Sequence, residues 1–211
     1  PDRDVAFEQL EKEKPLFVFM LHNSLMHGDI LFKAFPSLKM LQMERHPADL
    51  VHSWHLKRYG GDFYTNPRCA ALTIKWEENI LPYYAAGWEK EYLELPAMDR
   101  VIQLITRLIK KHEEGYVSLS SKYKKQVMKV PFEGLVAEPV TTLEKICNFL
   151  GKEETFYTPL VIQKEQDRFP RLLNKQDRID KRAAIKKLSS ESAYSLLEDV
   201  INKYESEYGV Y

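Results

Sequence analysis

Apolar residues along the chain fall into two patterns: short unbroken runs, and stretches in which they recur every three or four positions. Leu16-Phe17-Val18-Phe19-Met20-Leu21 is an unbroken run of strand length, rich in β-formers. It predicts a strand covered on both faces, as in a parallel sheet. Met40 to Met43 predicts a second short buried strand and Val127 to Val130 a third. Elsewhere helical spacing dominates. Val101, Ile102, Ile105, Leu108 and Ile109 mark an amphipathic helix over Asp99 to His112. Val140, Leu143, Ile146, Cys147 and Leu150 mark another, opening at Pro139 and ended by Gly151. A last helix, about Ser190 to Glu205, places Ala193, Leu196, Leu197, Val200, Ile201 and Tyr204 on one core-facing side. Asp2 to Lys14 predicts a charged leading helix and His27 to Lys33 a short one. Tyr59-Gly60-Gly61-Asp62 and Asn66-Pro67 read as turns. Strands alternating with helices predict an α/β fold, a mainly parallel sheet flanked by helices with right-handed crossovers.

Composition narrows the classes. A chain of 211 residues is enough for one domain with a substantial core. Lys+Arg and Asp+Glu balance at 31 each, which removes an overall electrostatic case for nucleic acid or an anionic membrane. Cys69 and Cys147 have neither metal-ligand spacing nor the count of a disulfide framework. Cys147 is expected as a core thiol. There is no apolar run of about eighteen residues and no signal-peptide centre near Pro1, so a cytoplasmic protein without a membrane span is expected.

Candidate chemistry centres on the junction between the second strand and the helix that opens at Pro47. Proline suits a first helical position, where its missing N–H would be unpaired anyway. Arg45 then lies at the carboxyl end of a strand beside a helix N-terminus, a place where open parallel sheets bind ligands and where anions are favoured. Its forked guanidinium suits phosphate, and Ser53, about two turns on, offers a hydroxyl. The alternative is a structural salt bridge at Arg45 and a merely small residue at Ser53. His22, at the end of the first predicted strand, is either a loop histidine or a general base. Trp76, Tyr83, Tyr84, Trp88 and Tyr92 either fill a satellite core or wall a substrate pocket. Lys122, Lys124, Lys125 and Lys129 read as a solvated face. Lys181, Arg182, Lys186 and Lys187 are either another such face or a cover for a phosphate.

Arg45-His46-Pro47-Ala48-Asp49 with Ser53 resembles the arginine-x-proline…serine signature of sulfotransferases that use 3'-phosphoadenosine 5'-phosphosulfate. Val130-Pro131-Phe132-Glu133-Gly134-Leu135, followed by Leu143, Ile146 and Phe149-Leu150-Gly151, resembles the family's second landmark, a strand and turn before a helix closing in Phe-Leu-Gly. The resemblance covers about Pro15 to Gly151 and implies a P-loop-NTPase-like sulfotransferase fold in a single domain over residues 1–211. It implies that Arg45 and Ser53 hold the 3'-phosphate of the donor, or of its product adenosine 3',5'-bisphosphate. The acceptor would be a hydroxyl or amine on a small molecule or glycan, and no metal is expected. His22 matches the family's base, with His27 and Asp29 as substitutes. Met20-Leu21 replaces the Lys-Thr common before that histidine, and Phe132 and Gly134 replace a Tyr and an Asp. The family's first strand–loop–helix, which carries the 5'-phosphosulfate loop, precedes anything in this sequence. The expectation is therefore an N-terminally incomplete enzyme, or a non-catalytic module that binds nucleotide or a partner. A P-loop kinase-like phosphotransferase is the alternative activity.

Overall fold

A computed structural model describes residues 2–13, 16–61, 72–166 and 174–209. In chain order it places α1 (Arg3–Glu13), a 3-10 turn (Ser24–His27), α2 (Gly28–Ala34), β1 (Met40–Glu44) and α3 (Pro47–Leu56). Then come β2 (Thr73–Trp76), β3 (Asn79–Pro82), α4 (Glu89–Glu94), α5 (Ala97–Ser118), α6 (Ser121–Lys124) and β4 (Val127–Pro131). The rest is helical: α7 (Phe132–Ala137), α8 (Pro139–Leu150), α9 (Thr158–Gln166), α10 (Lys175–Leu188) and α11 (Glu191–Tyr208). No helix among the described residues is long and apolar enough to cross a membrane.

The fold is mixed α/β, mostly helical, around one parallel strand pair. β1 and β4 run side by side from Met40↔Val127 to Glu44↔Pro131. Gln126 sets this register by donating through its side-chain amide to the carbonyls of Pro36 and Leu38, at 2.9 and 2.8 Å. β2 and β3 form a separate antiparallel hairpin. The apolar stripe of α5 makes it the central helix, with Val101, Ile102 and Ile105 buried against Ala48 and Val51 of α3 and Leu197 and Ile201 of α11. Its other side carries Leu104 into an aromatic cluster with Leu81, Trp88 and Tyr92. The satellite-core reading therefore holds for Trp88 and Tyr92. A third cluster joins Leu25, Phe32, Met40 and Leu119 beneath the sheet's N-terminal end.

Several expectations need correction. Leu16–Leu21 is not a strand, and its side chains are 52–90% exposed. Apolarity alone does not make a strand. The run needs a ladder partner, and among the described residues β1 pairs only with β4. Val140 and Leu196, expected on buried helix sides, are 51% and 42% exposed. Cys147 is half-buried rather than deep in the core. Asp62, the Asn66-Pro67 turn and Cys69 lie outside the described residues.

One glycine sets a distance that matters below. Gly115 is inside α5, where glycine costs about 1 kcal/mol relative to alanine. A Cβ there would stand 2.5 Å from the Leu25 carbonyl oxygen, so only glycine lets the 3-10 turn lie directly on the helix. Gly115→Ala should therefore lower stability by about 1–3 kcal/mol despite its better helix propensity. Urea denaturation measures the change; a stabilised variant would show that the contact does not constrain the turn.

Candidate functional site

The site is built on the turn from β1 into α3. His46 caps α3, its Nδ1 accepting the Ala48 N–H at 3.3 Å, and Pro47 takes the first helical position as expected. The ring is 1% exposed, and its Nε2 lies 3.2 Å from Glu205 Oε1 of α11. The backbone N–H of His46 donates to Glu133 Oε1 of α7 at 3.0 Å, and Tyr204 of α11 donates its hydroxyl to Glu133 Oε2 at 2.5 Å. One turn is thus fixed to the two elements flanking it. Asp49, in the first turn of α3, is 3% exposed and pairs with Lys181 at 2.7 Å and Arg178 at 3.4 Å from α10. Burial alone would raise the Asp49 carboxyl, but the Lys181 hydrogen bond and the two cations outweigh it and hold the group below its ordinary range.

Arg45 projects from this turn. Its guanidinium carbon stands 5.3 Å from the centre of the Phe132 ring, a cation–π arrangement. Its Nε is buried with no hydrogen-bond partner. A buried donor left unsatisfied costs about 1–3 kcal/mol, so an arginine held this way is poised for an acceptor. Arg45 lines an open cavity of about 190 Å³ bordered by β1, β4, α3, α5, α11, the 3-10 turn and Asn23 just before it.

The other predicted residues separate from it. Ser53 is half-buried on α3 and does not line the cavity. His22 is exposed and stands one residue before Asn23, which does line it. His27 is exposed, and Asp29 pairs with Lys33 of its own helix at 3.3 Å. The two basic groups are also placed. Lys181 is committed to Asp49 and Asp177, and Arg182 to Glu198 and Glu205. Lys129, expected on a solvated face, is half-buried between Glu44 and Glu207 at 3.7 and 3.4 Å.

Two cavity residues escaped the sequence reading. Asn23 adopts a left-handed backbone, φ 60, which asparagine tolerates better than most residues. Its amide donates to the Tyr83 hydroxyl, and its Oδ1 lies 3.1 Å from His112 Nε2. His112 comes one turn before Gly115 on α5, so the close approach at Gly115 brings the two together. The asparagine following a predicted strand was the available signal; His112 carried none, being the last residue of a helical stripe.

Burial lowers His46 from its ordinary value of 6.5, against the opposing hydrogen bond to Glu205. Below that value the unfolded chain takes up the proton first, so stability from neutral His46 is full above about pH 6.5 and lost as pH falls. His46→Asn keeps a capping side chain but removes the titration. Its stability should decline less steeply between pH 6.5 and 5 than the parent's in chemical denaturation; equal slopes would exclude His46 as a source.

Residues 4–156, more than half of the chain, match the family model described as the sulfotransferase family. Among solved structures, a sulfotransferase domain from the curacin biosynthetic pathway aligns at 17% identity with a TM-score of 0.47. The alignment covers 74% of this chain and 46% of that one, so the chain spans under half of that structure. No match is found among curated proteins.

Proposed function

The chain belongs to the sulfotransferase family, and from that premise we propose that it transfers a sulfuryl group from 3'-phosphoadenosine 5'-phosphosulfate to a hydroxyl or amine acceptor. The observation that carries this reading is the Arg45 guanidinium, held over Phe132 with its Nε unpartnered, on a turn fixed by His46 and Glu133. A delocalised, permanently charged fork in that position suits a phosphate oxygen better than a neutral group. When bound, the donor supplies the transferable sulfuryl group. Arg45 holds its 3'-phosphate, with Ser53 further along α3 offering a hydroxyl. His22 takes the acceptor's proton. The reaction is then mainly one of positioning and charge stabilisation, as in phosphoryl transfer.

Arg45→Ala should weaken binding of adenosine 3',5'-bisphosphate by about 1.5–3 kcal/mol, the range for a charged hydrogen bond. Calorimetry showing parental affinity would remove Arg45 from the donor site. His22→Ala should lower the transfer rate by on the order of 10²–10⁴, a general base's contribution, while leaving nucleotide affinity unchanged. Undiminished turnover would place the base on another residue.

A further inference from the structure

An asparagine placed just before a helical turn usually spends its side chain on that turn, accepting one of its unpaired N–H groups. Asn23 does not. It stands at the N-cap of the 3-10 turn Ser24–His27, with φ 60 and ψ 24, and its side chain makes no capping bond there. Instead its amide donates to the hydroxyl of Tyr83, directly after β3, and its Oδ1 lies 3.1 Å from His112 Nε2 on α5. These partners stand 60 and 89 residues away in the chain. A side chain that forgoes a local bond for two distant ones fixes a segment in space rather than shaping a turn.

The orientation of the pair follows from donor chemistry. With the amide NH2 turned to Tyr83, Oδ1 can only accept, so His112 donates through Nε2. Burial holds His112 below its ordinary value of 6.5, which keeps the ring neutral at physiological pH with its one N–H committed to Asn23. Gly115, one turn further along α5, lets the Leu25 carbonyl rest on the same helix. Two contacts a turn apart thus tie residues 23–25 to the central helix of the fold.

The chain before them is held by much less. Residues 16–21 form neither helix nor strand and are exposed, so no ladder among the described residues fixes His22 from its N-terminal side. Asn23 is the next residue, and its left-handed backbone sets the direction in which the preceding chain leaves. Asn23 and His112 line the cavity beside Arg45, while His22 does not.

We propose that Asn23 and His112 are positioning residues, His112 acting through Asn23 to hold His22 beside the cavity that Arg45 lines. The inference rests on the reading of His22 as the residue that takes the acceptor's proton. A displacement of about 1 Å at such a group costs on the order of 10²-fold in rate, without any change in nucleotide contacts.

The test reads His22 directly and then its effect on rate, in the whole chain. Nitrogen relaxation should give the parent's His22 amide an order parameter of about 0.85, that of rigid backbone, falling below about 0.6 in His112→Leu. His112→Gln, whose amide nitrogen can donate from the same place, should keep the parental value. Asn23→Gly accommodates a left-handed backbone without strain but has no side chain to clamp, and should match His112→Leu. With 2-naphthol and butylamine as hydroxyl and amine probes, kcat should fall roughly tenfold or more in His112→Leu and Asn23→Gly and recover in His112→Gln. Affinity for adenosine 3',5'-bisphosphate should stay parental in all three. His22→Ala combined with His112→Leu should be no slower than His22→Ala alone, since a residue acting through another adds nothing once that one is gone. Parental order at His22 in both His112→Leu and Asn23→Gly, no recovery in His112→Gln, or a further rate loss in the double variant would overturn the proposal. Order lost at His22 with transfer undiminished would overturn it as well. The same loss of order in a chain that binds no adenosine 3',5'-bisphosphate would uphold the clamp and sink the sulfotransferase reading instead.

Discussion

The carboxylate of Glu133 is the constraint on which the site depends. It is 2% exposed, and a carboxylate removed from water is tolerable only when both oxygens are hydrogen-bonded. Here one oxygen accepts from the His46 backbone and the other from the Tyr204 hydroxyl. Those partners stand 87 and 71 residues away in the chain. Satisfying one buried charge therefore requires the β1–α3 turn, the start of α7 and the last helix to meet at a point. Arg45 inherits its position from this junction, because it directly precedes the residue whose N–H is claimed.

Charge pairing organises the surroundings in the same way. Asp49 draws α10 onto α3 through Lys181 and Arg178. Glu205 draws His46 and Arg182 toward α11. Among the described residues, Lys129 and Lys203 at the cavity are held by carboxylates, while the buried Nε of Arg45 has no hydrogen-bond partner. That contrast gives one guanidinium an interpretation that a count of lysines and arginines could not supply.

What the sequence revealed divides along the line between local and distant interactions. The β1–α3 junction, the cap at Gly151 and the apolar stripe of α5 were legible because proline geometry, a left-handed glycine and helical period act within a few residues. Glu133 was legible only as part of a landmark, since its role depends on partners brought in by folding. Leu16–Leu21 was misread for the reverse reason: its composition states a preference for burial, while strand pairing is decided by another segment. At the candidate site, Arg45 lines the cavity, whereas His22, Ser53, His27 and Asp29 do not. The reading stopped one residue short of Asn23, because left-handed backbone geometry and a partner at position 112 leave no periodic trace.

The exposed run at Leu16–Leu21 has a consequence for the protein's behaviour in concentrated solution. Six consecutive uncharged residues, some rich in β-propensity, are the kind of segment that adheres to its own copies edge to edge. Colloidal stability usually comes from like-charge repulsion, and a formal net charge of zero provides little near neutral pH. Salt would screen even that little and strengthen the apolar attraction. Moderate alkalinity, where the chain gains negative charge, and low ionic strength are thus the conditions that oppose precipitation.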